Sequence, residues 1–103
     1  TRSPRTRARA LPTPATGGQD PLASANVIVI PWNDLDALRD ALTSEVAAVL
    51  MEPIAINGGA FSPAPGYLEA VRRLTTERGA GPILDEVLTG FRVAVGGAQA
   101  RTT

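Results

Sequence analysis

The chain has 103 residues and a formal net charge of zero, because 10 arginines balance 10 acidic residues. It contains no cysteine, histidine or lysine, which excludes disulfides, zinc or iron–sulfur sites with their usual ligands, a Walker-type phosphate loop and a lysine Schiff base within these residues. The neutral balance argues against a nucleic-acid or membrane surface, and no apolar run approaches the ~20 residues of a membrane helix.

Residues 1–24 differ in composition from the rest of the chain. The first ten residues carry four arginines, and no acid precedes Asp20. A segment of this kind buries too little apolar area to offset its ordering entropy, so we predict a flexible tail over residues 1–24. An organelle transit segment is the alternative. Because the chain begins at Thr1 and has its single methionine at position 51, we expect an internal piece of a longer protein.

The first predicted elements are a strand and a helix. Residues 27–30 are Val-Ile-Val-Ile and end at a proline, a pattern typical of a buried strand. Asn33 is the predicted N-cap of the following helix. Leu35, Leu38 and Leu42 recur at helical spacing and indicate one apolar face on that helix.

A second strand and a second helix come next. Residues 46–51 form an apolar run that ends at Glu52, and a loop is predicted over residues 54–64. Pro65 suits the first position of a helix, and Gly79 is a natural C-terminal stop. The predicted buried face of this helix consists of Tyr67, Leu68, Val71 and Leu74.

The third predicted strand, residues 82–84, runs directly into Asp85. Because Pro82 has no backbone N–H, we expect this strand to begin late or to pair poorly at its start. Residues 87–103 are predicted to be mostly loop. The order β-α-β-α-β with continuous apolar strands favours an α/β fold, a parallel sheet with helices on at least one face. Three strands and two helices look like a slice of a larger doubly wound sheet.

Acidic residues follow two of the predicted strands, Glu52 after one and Asp85 with Glu86 after another. Ligands bind beyond the carboxyl ends of strands in open parallel sheets. A carboxylate that is partly removed from water there requires a cation or a donor. The structural alternative is that these acids lie in solvated loops and cap backbone amides.

Three ligands would supply the cation. A divalent metal could be held by Asp85, Glu86 and Glu52. A nucleotide with Mg²⁺ could use the same strand end, but it needs a phosphate loop that this chain lacks. A protonated heteroaromatic nitrogen, such as the pyridinium of pyridoxal phosphate, could pair with an aspartate. The residue types alone leave these alternatives open.

A longer motif adds a family resemblance. The stretch GAGPILDEVLTGFRVAVGGAQ, residues 79–99, resembles the cofactor strand of class-III pyridoxal-phosphate aminotransferases, and its ending is most similar to the aminomutase-like branch. Shorter matches occur in the right order at Pro-Trp-Asn-Asp (31–34), Ala-Ala-Val-Leu-Met-Glu-Pro (47–53), Asn57-Gly58 and Pro-Gly-Tyr-Leu (65–68). The similarity covers about residues 26–99, and weakly residues 11–25.

The resemblance implies a fold and a set of site residues. Residues 25–103 would be part of the large domain of a fold-type I pyridoxal-phosphate-dependent transferase, a slice of its parallel or mixed sheet. Asp85 would pair with the pyridine nitrogen of pyridoxal 5'-phosphate, and Val87 would pack against the ring. Asn57 and Glu52 would lie near the cofactor or support its pocket.

Other residues of the motif have structural or branch-specific implications. Glu86 would be structural and hold an arginine or backbone amides, and Arg92 would lie at the surface or in a salt bridge. Leu88 stands where many ω-amino acid transaminases have glutamine, which favours the aminomutase-like branch.

The resemblance also predicts what the chain lacks. The family attaches its cofactor to a Schiff-base lysine, and no residue here can take that role. Because of this absence we expect this chain alone to be inactive. The resemblance also implies a parent enzyme that performs transamination or intramolecular amino transfer on a small amino-acid-type substrate, as a cytoplasmic homodimer. We expect no metal, nucleic acid or membrane as a partner. The alternative is a small non-catalytic α/β binding or structural module, or a decayed gene fragment.

Overall fold

The computed structural model describes residues 13–102. Its elements in chain order are a 3-10 helix (Ala23–Asn26), α1 (Leu35–Ala41), β1 (Ala48–Met51), α2 (Tyr67–Arg78), β2 (Gly81–Leu84) and α3 (Gln99–Thr102). This part of the chain is therefore an α/β unit with two strands, where the sequence predicted three. The predicted tail over residues 1–12 lies outside the described residues, and the flexibility of residues 13–24 stays a prediction.

The sheet consists of β1 and β2, which pair in parallel with Met51 opposite Leu84. The prediction that Pro82 delays β2 is wrong. The strand begins one residue earlier, where the Gly81 N–H donates to the Ala47 carbonyl at 2.9 Å. Successive N–H groups of a strand point to opposite sides, so the donor that Pro82 lacks faces away from β1. On that side β2 has no neighbour among residues 13–102.

The predicted strand over residues 27–30 is not formed. These residues pair with neither β1 nor β2, and Val29 is 71% exposed. Only Ile30 packs against the core. Four β-branched residues supply strand propensity, but a strand also needs a partner whose N–H and C=O groups complete the ladder. The first strand of the predicted β-α-β-α-β order is therefore corrected to a segment that has no strand partner among residues 13–102.

The N-cap of helix α1 lies one residue later than predicted. The N-cap is Asp34, whose Oδ1 accepts a hydrogen bond from the Ala37 N–H at 2.9 Å. The predicted N-cap, Asn33, lies in the left-handed region with φ 64°. Its side-chain oxygen instead accepts a hydrogen bond from the Ala64 N–H at 2.9 Å. An asparagine side chain can accept a hydrogen bond from a distant amide as well as from a local one, and here the Ala64 N–H takes the place of a helix N–H.

Helix α2 confirms most of its prediction. It begins at Tyr67, two residues after the predicted first position at Pro65. It ends at Arg78, and Gly79 is its C-cap with φ 73°. The Gly79 N–H bonds back to the carbonyls of Thr75 and Thr76, as expected of a glycine C-cap. The four residues of the predicted face are all buried: Tyr67, Leu68, Val71 and Leu74.

The core lies on one face of the sheet. It joins the buried face of α2 to Leu38 of α1, to Leu42 directly after α1, and to Ala80. On the other face, Leu50 is 70% exposed and its register partner Ile83 is 51% exposed. Parallel sheets are normally covered on both faces, so the described residues bury one side of such a sheet.

Residues 87–98 form no regular helix or strand, as predicted, and the short helix after them was not predicted. Turns lead from Val87 to the short helix α3. None of the helices in residues 13–102 combines the length and the apolar character needed to cross a bilayer.

Candidate functional site at the carboxyl edge of the sheet

Glu52 and Asp85 lie together at the carboxyl edge of the sheet. Each residue is the first after its strand, and the strands are in register at Met51 and Leu84. The ladder continues one step further, because the Asp85 N–H donates to the Met51 carbonyl at 2.7 Å. The structure therefore brings two of the predicted site residues to the edge at which ligands bind in open parallel sheets.

The Asp85 side chain forms a tight turn and remains exposed. Its Oδ1 accepts a hydrogen bond from the Val87 N–H at 3.0 Å. Val87 itself is 83% exposed. The turn therefore leaves a carboxylate and, two residues on, a branched apolar side chain at the surface of the same edge.

The main chain at Glu52 is held by an aromatic side chain. The Trp32 Nε1–H donates to the Glu52 carbonyl at 3.0 Å, and the rings of Trp32 and Tyr67 meet edge-on with centroids 5.7 Å apart. Burial raises the pKa of the Tyr67 phenol above its ordinary value of 10.0. A hydrogen bond from the Asn33 backbone opposes this increase in pKa, and the negative charge of Asp34 adds to it. The hydrogen bond from Trp32 thus holds the main chain directly after the last residue of β1.

Beyond Glu52 the chain forms a small turn that carries Asn57. The Glu52 Oε2 accepts a hydrogen bond from the Ile56 N–H at 3.2 Å. Ala55 and Phe61 exchange two backbone hydrogen bonds of 3.0 and 3.2 Å. Asn57 lies exposed within this turn, and no hydrogen bond joins it to Asp85 in the described part of the chain.

Glu86 has a different environment from Asp85. Its carboxylate accepts hydrogen bonds from the Thr89 hydroxyl at 2.5 Å, the Ala98 N–H at 2.7 Å and the Gln99 N–H at 3.0 Å. Partial burial acts to raise the pKa of Glu86, but the hydrogen bonds from Thr89, Gln99 and Ala98 outweigh it and leave the pKa below its ordinary value of 4.5. Of the two partners expected for Glu86, an arginine or backbone amides, the structure shows the amides.

The charges at this edge discriminate among the predicted ligands. No group of three His, Cys, Asp or Glu residues within residues 13–102 could hold a metal ion, so the metal site of Asp85, Glu86 and Glu52 is not formed. Arg39 and Asp36 form an ion pair on α1. Within residues 13–102, no arginine forms an ion pair with Asp85. The acids cap backbone amides, as the structural alternative expects, and the exposed Asp85 carboxylate can also accept a cation from outside.

The sequence did not indicate the contact of Trp32 with Glu52, nor that the backbone amides bound by Glu86 are those of residues 98–99. Both contacts join residues more than ten positions apart. The Glu-x-x-Thr spacing of Glu86 and Thr89 is a local signal that could have indicated the inner part of the second contact.

Comparison with known proteins identifies a family and its members. The model of the class-III aminotransferases matches residues 9–100. Glutamate-1-semialdehyde 2,1-aminomutase of Chloroflexus aggregans is 53% identical over 90 residues, 84% of this chain. Proteins of the same name are 53% identical over 92 residues (86% of this chain) in Symbiobacterium thermophilum and 53% identical over 75 residues (72%) in Methanothrix thermoacetophila. The chain spans about a fifth of these relatives, namely 20%, 21% and 18% of their lengths.

Proposed function

The chain belongs to the class-III aminotransferase family, and we propose that it is part of a pyridoxal-phosphate-dependent enzyme that moves an amino group within one substrate, as an aminomutase does. The three relatives above are each named glutamate-1-semialdehyde 2,1-aminomutase, and each is 53% identical to the matched part of this chain. Because the chain spans about a fifth of their length, the whole enzyme's reaction, its amino-acid-type substrate and its assembly as a homodimer are parts of this proposal.

Asp85 carries the proposal. Its carboxylate is exposed at the carboxyl edge of a parallel strand pair and has no arginine partner among residues 13–102. A negative charge in that position favours a cationic ligand, and the protonated ring nitrogen of a pyridine is such a cation. The Val87 N–H holds Asp85 Oδ1 at 3.0 Å, so one carboxylate oxygen is oriented by the chain.

The neighbouring residues fit the same cofactor. Val87 is 83% exposed and would place its branched side chain against the face of a planar ring. Glu52 lies in register with Asp85 and would support the pocket from β1, while Asn57 would reach the pocket from the turn that follows. Pyridoxal phosphate supplies, when bound, a ring that accepts electrons from the substrate carbon. Asp85 would keep the proton on the ring nitrogen, which maintains that capacity.

The chain carries no lysine, so none of its side chains can attach the cofactor covalently as an imine. We therefore propose that these 103 residues do not turn over by themselves. Borohydride reduction after addition of pyridoxal phosphate tests this point by peptide mass spectrometry. We expect no labelled internal residue, and one labelled internal residue would contradict the proposal.

A segment exchange tests the function itself. The matching 90 residues of the Chloroflexus aggregans enzyme are replaced by those of this chain, and conversion of glutamate-1-semialdehyde is measured together with cofactor absorbance. We expect the chimera to be active. Asp85→Asn should lower its kcat/KM by roughly ten- to a hundredfold, which corresponds to the ~1.5–3 kcal/mol of one charge-assisted hydrogen bond.

The matched control is Asp40→Asn, which neutralises an exposed acid of α1 and should leave kcat/KM unchanged. An active chimera that tolerates Asp85→Asn would remove Asp85 from the cofactor site. A chimera that folds but binds no pyridoxal phosphate would favour the non-catalytic module.

A further inference from the structure

One side chain joins the two ends of residues 86–99, which we call the Glu86 loop. Glu86 Oε2 accepts hydrogen bonds from the Thr89 hydroxyl and the Ala98 N–H, and Glu86 Oε1 accepts one from the Gln99 N–H. The main chain adds a fourth hydrogen bond, because the Gly90 N–H donates to the Glu86 carbonyl at 2.8 Å. The residue directly after Asp85 therefore anchors both the near and the far end of this loop.

The loop is packed closely around the carboxylate. Thr89 is 2% exposed and Ala98 is 1% exposed. Gly97 has φ +72°, and a Cβ at that position would overlap the Glu86 carboxylate. A Cβ at Gly90 would lie 2.8 Å from the Glu86 carbonyl oxygen. Both glycines therefore permit an approach that any other residue would obstruct.

We propose that Glu86 is the positioning residue of the site, because its ionised carboxylate closes the loop and thereby fixes the turn that presents Asp85 and Val87. The meaning of that position rests on the proposed function. Asp85 is tied to β1 through the Met51 carbonyl, which fixes the turn on its N-terminal side. Val87 is exposed and has little packing of its own, so its place depends on the backbone that Glu86 holds on the C-terminal side.

Closure of the loop depends on the charge of Glu86. All three groups that face the carboxylate are donors, so the ionised form satisfies them best and the protonated form brings an additional proton against them. The lowered pKa of Glu86 agrees with this. The charged groups nearby in sequence and fold are Asp85, Arg92 on the loop and Arg101 on α3. None of them forms an ion pair with Glu86 in the described residues, and Arg101 donates to the Val93 carbonyl at 3.3 Å.

Amide NMR of the full 103-residue chain, with no cofactor added, tests the proposal. Between about pH 2.5 and 7 the amide proton shifts of Ala98 and Gln99 should titrate with one midpoint, below 4.5 and equal to that of the Glu86 carboxyl carbon. Glu86→Gln should abolish this titration, change the Val87 amide shift and accelerate exchange at Ala98 and Gln99 about tenfold or more.

Three variants make the test specific. Glu45→Gln removes an exposed acid elsewhere and should change none of these signals. Thr89→Val keeps the shape of the side chain but removes one donor to Glu86, so it should raise the titration midpoint shared by Glu86 and the two amides. This variant tests the proposal even if Glu86→Gln does not fold. Asp85→Asn should leave the titration of both amides in place, so loss of cofactor binding and loss of loop closure are separate results. Amides of Ala98 and Gln99 that do not follow Glu86 would overturn the proposal.

Discussion

Replacing Gly97 with alanine tests the packing around Glu86, and a second glycine of the same chain provides the control. Gly97 has φ +72° and Gly79 has φ +73°. A Cβ added at Gly79 would meet nothing within 4 Å, whereas one added at Gly97 would overlap the Glu86 carboxylate. The two glycines thus have nearly the same φ, and an added Cβ meets the Glu86 carboxylate at Gly97 only.

The expected costs follow from this difference. Alanine in the left-handed region costs ~1–2 kcal/mol at either site. Gly97→Ala must in addition displace the Glu86 carboxylate and break at least one of its hydrogen bonds to backbone amides, each worth ~1.5–3 kcal/mol. We therefore expect a total of roughly 3–5 kcal/mol at Gly97, of which the second part is local to the Glu86 loop.

Two measurements separate these parts. Urea unfolding followed by circular dichroism reports the cost that both variants share. Native-state hydrogen exchange at Ala98 and Gln99 should accelerate roughly ten- to over a hundredfold in Gly97→Ala and should not change in Gly79→Ala beyond the loss of global stability. Equal exchange in the two variants would refute the placement of Glu86 against Gly97.

Leu42→Ala should lower the free energy of unfolding by ~2–5 kcal/mol in urea, since Leu42 is 1% exposed. The control is Leu22→Ala at a residue that is 72% exposed, and it should change this free energy by less than ~0.5 kcal/mol. Similar losses in the two variants would contradict the placement of Leu42 in the core. Trp32→Phe keeps an aromatic ring but removes the donor to the Glu52 carbonyl. A thermal melt should show that the free energy of unfolding falls by ~0.5–1.5 kcal/mol, and an unchanged melt would mean that this hydrogen bond does not stabilise the fold. Tyr67 is the single tyrosine, and its absorbance titration should have a midpoint above 10.0 in the folded chain. Because the folded pKa is raised, the stability linked to the neutral phenol is present below pH 10 and is lost as the pH rises through the folded pKa, and an equal midpoint in urea would contradict its burial.

Much of the fold follows from local patterns in the sequence. The buried face of α2 and the glycine at its end are both confirmed. The positions of β1 and β2 also agree with the predicted strands to within two residues. These features depend on residues within one element, whose periodicity and capping chemistry act over four residues or fewer.

The candidate site is only partly readable in the same way. The position of Asp85 directly after a strand places it at the carboxyl edge of a parallel sheet, and the structure adds that Glu52 is in register with it. The motif around Asp85 also indicated the family that comparison confirms. The roles of Asp85, Val87, Asn57 and Glu52 toward a cofactor stay predictions.

The sequence by itself determined two helices and two strands, namely α1, α2, β1 and β2, and it indicated the family. Tertiary structure decided the rest. Residues 27–30 have no strand partner in the described part of the chain, Asn33 bonds to the Ala64 N–H, and Glu86 bonds to amides twelve and thirteen residues away. Each of these outcomes depends on which distant donor or acceptor the folded chain brings within hydrogen-bond distance. Propensity and spacing describe a residue's neighbours along the chain, and a buried polar group is satisfied by its neighbours in space.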